Sequence, residues 1–170
     1  VVVTFGSYTA VDPVMVPINA PTIFNPAADS YVSSAAPTKN YGSDAALRVN
    51  SGGTSYTSYM RFNVTGMDTG VQSAKLRLYV TDASAKGGNV YLVSNTYADG
   101  LGPWAESGVT LNNAPAVGGT AVVSNTTAAA LNTWVEFDVT NAVQDNGIFN
   151  FALKTTATDS LRYSSREGTN

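Results

Sequence analysis

Glu106, Glu136 and Glu167 are the only glutamates in the chain, and two carboxyl groups held about 5–9 Å apart are the minimum apparatus for cleaving a glycoside. Nothing in the sequence brings any two of them together. Glu167 follows Arg166, which makes it an ion-paired closing element more simply than a proton donor. Histidine and cysteine are absent. The usual general base, thiolate chemistry, disulfides and the commonest ligands for zinc, copper or iron are therefore missing. The sequence assigns no catalytic residue.

Oxygen chemistry remains. Asp29, Asp99 and Asp159 lie in or next to loops with Asn side chains and backbone carbonyls around them, the donor types of a structural Ca²⁺. No EF-hand spacing accompanies them, and capping a turn is the ordinary occupation of such aspartates. Exposed rings can stack on a pyranose. Tyr41 and Trp134 fall in a loop or on the polar phase of a strand, with Tyr79 also outward, whereas Trp104 reads as a structural anchor. Arg48, Arg61, Lys75, Arg77 and Lys154 all fall on the non-core phase of their strands. Gathered on one outer sheet face they would form a basic patch for an acidic sugar. Dispersed, they would pair with Glu136 and Asp138 across strands.

The background composition limits what these residues can serve. Net charge is −3 and the isoelectric point about 4.7, a field that attracts neither nucleic acid nor acidic lipid. Only 12% of residues are charged and 44% are hydrophobic, a balance expected of an extracellular β protein whose surface is hydrogen-bonded rather than ionised. No run of 18 apolar residues exists, so no membrane span is expected. The start lacks a leader pattern, so the chain is read as a mature or excised piece.

The elements that must position the candidate residues are short strands. DSYVS, ALRVN, TSYMRFNV, SAKLRLYVT, NVYLVSN, GVTL, AVVS, NTWVEFDVT, FNFALKTT and LRYSS are separated by turn clusters such as Gly52-Gly53 and Gly87-Gly88, the spacing of an all-β domain. Met60, Phe62 and Val64 oppose Arg61 and Asn63; Leu76, Leu78 and Val80 oppose Lys75, Arg77 and Tyr79. Val135, Phe137 and Val139 oppose Trp134, Glu136 and Asp138. Phe149, Phe151 and Leu153 oppose Asn150, Ala152 and Lys154. Only VTNAVQD allows a single helical turn. Eight to ten antiparallel strands of this length predict a two-sheet β-sandwich of jelly-roll type over 29–170.

Ahead of it stand an N-terminal strand, VVVTFG, over 1–6 and an extended linker over 7–28. Pro13, Pro17, Pro21 and Pro26 recur along that linker, favouring a polyproline-like path over a helix.

Several stretches, in order, carry a family resemblance: DSYVSSAAPTKNYGS, LRVNSG, YMRFNVTG, SAKLRLYVTDAS, WAESGVTLNNAPAVG, TWVEFDVTNAV, FALKTT and YSSREG. Together they span roughly residues 25 to 168, with WAES and SREG the most specific. The chain resembles the DNRLRE-type bacterial jelly-roll domains, which are related to alginate-binding carbohydrate-binding modules. In that family the SREG element is usually followed by a final strand of the type LVVTF. Here a similar VVVTFG stands at the start instead.

Three accounts remain open: one period of a tandem array, a strand folded back on its own module, or a strand donated to a neighbour. Burying Val1, Val3 and Phe5 is worth about 2 kcal/mol each, comparable in sum with the net stability of a domain. Twenty-three residues from Gly6 to Ala28 reach up to about 75–80 Å, so length does not choose between the accounts. The stiff linker and its apolar residues favour donation. The expectation is a non-enzymatic, secreted or cell-surface protomer that assembles with copies of itself through residues 1–5. The alternative is a carbohydrate-binding module of a secreted enzyme or adhesin, with an acidic polysaccharide as its candidate ligand.

Overall fold

A computed structural model describes residues 21–67 and 70–169. Val1, Val3 and Phe5, and the linker as far as Ala20, lie outside the described residues. The strands are β1 Ala28–Ser33, β2 Ala46–Val49, β3 Tyr56–Val64, β4 Lys75–Asp82, β5 Gly88–Leu92, β6 Val123–Asn125, β7 Trp134–Asp138, β8 Gly147–Lys154 and β9 Leu161–Ser164. They form two antiparallel sheets, ordered β1-β3-β8-β5-β6 and β2-β9-β4-β7, that pack face to face as the expected sandwich. The first strand starts at Ala28, one residue inside the stretch read as linker.

Period-two alternation explains which side chains meet between the sheets. Met60, Phe62 and Val64 from β3, Leu76, Leu78 and Val80 from β4, Val135 and Phe137 from β7, and Phe151 and Leu153 from β8 share one core. VTNAVQD makes its helical turn, with Val143 N–H donating to the carbonyl of Val139.

Two expectations fail on the five-stranded sheet. GVTL is not a strand: Gly108 and Val109 N–H donate to the Ala105 carbonyl and Ala114 N–H to that of Thr110, closing successive turns. Side chains take over the ladder's work, because Asn40 Nδ2 donates to the carbonyls of Glu106 and Val109 and Asn113 Oδ1 accepts Thr110 N–H. The second failure is a consequence of the first. Folded flat, this loop lays Trp104, Val109 and Ala114 over Ala28, Val32, Tyr59 and Ala152 as a second small core. Asn150 and Ala152, expected outward toward water, are therefore buried.

Gly42 shows how closely the loop is held. A Cβ there would stand 2.3 Å from the Glu106 carbonyl oxygen, so only glycine fits.

Candidate functional site

The five basic residues do not share a face. Arg61 on β3 and Lys154 on β8 belong to one sheet, Arg48 on β2 and Lys75 and Arg77 on β4 to the other. Alternation gives each residue's side of its own sheet and is blind to which sheet that is. Arg61 is moreover covered. Its Nε donates to Asn150 Oδ1, its guanidinium lies over the Trp104 ring at 4.4 Å, and it also donates to the Trp104 carbonyl. Burial lowers its pKa. Trp104 is wholly buried, in keeping with a structural anchor.

Tyr41 is likewise engaged. It stacks on the buried Tyr31 ring with centroids 4.3 Å apart, between Lys39 on its far side and Arg48 beyond Tyr31. This cluster lies at the β1/β2 edge and is separate from Trp134.

Trp134 is different. Half of its surface, 49%, is exposed, and cross-strand register puts it opposite Tyr79, with Arg77 opposite Glu136 and Lys75 opposite Asp138. All six therefore rise from one outer patch of β4 and β7. Tyr79 meets the Trp134 ring edge-on at 5.3 Å, and the Arg77 guanidinium lies 4.8 Å over the indole. Glu136 bridges the two cations, at 2.9 Å from Lys75 Nζ and 3.0 Å from Arg77 Nε. The hydrogen bond from Lys75 chiefly holds its pKa below the usual carboxylate range. Asp138 caps the turn that follows it, accepting Thr140 N–H.

The patch borders a cavity of about 610 Å³ lined by Trp134, Tyr79, Arg77 and the apolar Ile23, Phe24 and Phe62. A flat ring, flanking donors and an adjacent recess can stack a sugar and hydrogen-bond its hydroxyls.

The aspartates also part company. Asp99 caps its own turn through Leu101 N–H, and Asp159 accepts Ala85 N–H. Asp29 is buried, and one oxygen each from Asp29, Glu106 and Glu167 lies within 4.8 Å of the others. Two glutamates with no sequence signal linking them are thus brought together.

Arg166 stands among these carboxylates at 3.4 Å from Glu106 and 3.2 Å from Glu167, and its backbone N–H donates to Asp29 Oδ2. Burial, opposed by that hydrogen bond and reinforced by the two glutamates, pushes the Asp29 pKa up to about 7. The cluster closes an edge of the sheet. Glu106 Oε1 accepts Asp29 N–H, and Arg166 donates to the Ala27 carbonyl, occupying backbone groups on the side of β1 away from β3. This is the work of the WAES and SREG elements.

Residues 20–170 match the model of carbohydrate-binding module family 96, in agreement with the resemblance read from the strand motifs. No curated protein matches the chain. The family match spans nearly the whole sequence and every element of the sandwich, and the chain belongs to carbohydrate-binding module family 96.

Proposed function

We propose that the chain is a non-catalytic module that holds a polysaccharide on the β4/β7 face, with Trp134 as the stacking platform. The observation that carries this reading is the exposed indole, set by cross-strand register beside Tyr79 and Arg77 on the rim of a cavity. Lys75 and Arg77 face the two carboxylates of Glu136 and Asp138, so the patch has no net charge, and its remaining N–H donors suit sugar hydroxyls and uronate oxygens alike. An extracellular or cell-surface setting follows from such a ligand. Affinity electrophoresis against neutral and uronic polysaccharides tests the reading. Retardation is expected in at least one of these gels and lost in Trp134→Ala; migration unaltered in every gel refutes the reading.

Assembly by residues 1–5 completing a neighbouring module is the second reading. It is favoured by a stretch of β4 that no described strand pairs on the side away from β7: β9 pairs with β4 only at Val80 and Asp82, while β7 pairs with it from Lys75 to Tyr79. Both readings use the recess bordered by Arg77, Tyr79 and Trp134, the sugar at its outer rim and the strand along its apolar floor.

A further inference from the structure

Among the described residues, the β4 edge below Val80 is an interior gap in the sheet. Val80 exchanges backbone hydrogen bonds with Asn132 and Thr133, and the Ala74 carbonyl accepts Val139 N–H, so the even-numbered residues between them address β7. Backbone alternation then turns the N–H and C=O groups of Lys75 and Arg77 toward the other side. Among the described residues no strand meets them there. The same molecule covers backbone groups on the free side of β1 with Glu106 and Arg166, as exposed edges usually are. No described side chain gives the β4 gap such a cover, and the core side chains Leu47, Met60, Phe62 and Leu78 reach the cavity beside it.

We propose that this gap is a strand-acceptor slot whose occupant is Val1–Phe5 of a second copy of the chain. VVVTF has five residues, the length of the β4 stretch from Lys75 to Tyr79. Alternation would direct Val1, Val3 and Phe5 into the cavity and Val2 and Thr4 to the outer face. A second copy is favoured over the chain's own strand because Ile23, Phe24 and Pro26 already line the cavity, so self-insertion requires the chain to leave this site and return to it. Pro13 and Pro17 favour an extended path instead, over which the fourteen residues Ser7–Ala20 span up to about 45–50 Å. That is enough to cross a domain roughly 40 Å wide. A head-to-tail contact of this kind propagates as an open filament.

The proposal rests on the assembly reading; the slot shares its cavity with the sugar face, and Trp134→Ala that assembles normally but no longer binds sugar keeps the two apart. The chain has no cysteine, so Val2→Cys combined with Arg77→Cys reports the contact directly. Oxidation of this double variant is expected to give a ladder of covalent oligomers on a non-reducing gel. Light scattering should show wild-type oligomers and monomeric Val3→Asp/Phe5→Asp. A disulfide closed within one monomer overturns the second-copy assignment. Oligomers persisting in Val3→Asp/Phe5→Asp overturn the donor, and a monomeric wild type with no disulfide in the double variant overturns the slot.

Discussion

The indole N–H of Trp104 donates to Oδ1 of Asn150 at 2.8 Å in the buried layer between the 93–117 loop and the five-stranded sheet. The same oxygen accepts from Arg61 Nε at 3.0 Å, so one amide satisfies two donors, the buried indole and a partly buried guanidinium. Asn150→Ala removes the acceptor and leaves both uncompensated. A loss of about 2–4 kcal/mol is expected from the penalty for buried unpaired donors, one of them charged. Guanidinium unfolding measures it as a lower midpoint at constant slope; a change under about 1 kcal/mol would show that water replaces the amide.

Trp134→Ala should separate binding from folding. Half of the ring is in water, so its removal is expected to cost about 1–3 kcal/mol of stability, leaving the chain folded, while abolishing retention by polysaccharide. Loss of retention with a collapsed melting temperature would instead make Trp134 a structural residue.

Asp29 makes stability depend on pH. Its folded pKa of about 7 lies above the ordinary value of 3.8, so the folded chain binds more protons than the unfolded chain between those values. This contribution is complete below pH 3.8 and is lost as pH rises through 7. Over that window it amounts to about 3–5 kcal/mol. Asp29→Asn copies the neutral acid. It should match the wild type at pH 4 and exceed it at pH 8 in parallel denaturant titrations, and equal pH slopes for the two proteins would refute the assignment.

Arg166 acts as the internal counter-ion of Asp29, Glu106 and Glu167. With its side chain partly exposed, Arg166→Met is expected to cost only about 1–2 kcal/mol. Its removal leaves three converging carboxylates, and millimolar Ca²⁺ should then raise the melting temperature of the variant but not of the wild type. A calcium-dependent rise in the wild-type chain would assign the three oxygens to a metal.

Gly42→Ala tests the clamp between the 39–44 turn and the 104–109 loop. A methyl group 2.3 Å from the Glu106 carbonyl oxygen must push the loop off the sheet. The expected loss is about 2–3 kcal/mol, the scale of overpacking, with the buried Trp104 fluorescence shifting toward that of exposed indole. Unaltered emission and stability would mean that the loop yields freely.

Strand identity was legible wherever a period of two ran through YMRFNV, KLRLYV and WVEFDV, because alternation is a local property of the chain and the core selects its apolar phase. Composition settled the absence of histidine and thiolate chemistry, and the strand motifs with WAES and SREG carried the family resemblance. Sheet membership was not legible. Arg61 and Arg77 occupy equivalent phases, yet one is roofed by Trp104 and the other lies open beside Trp134. That difference arises from which strands pair and which loop folds over them, contacts between residues far apart in sequence that no local pattern encodes. The same holds for Asp29, Glu106 and Glu167. Their residue types were evident from the chain, but only the closure of the sandwich set them around Arg166, at a distance where burial and charge change what each carboxyl group does.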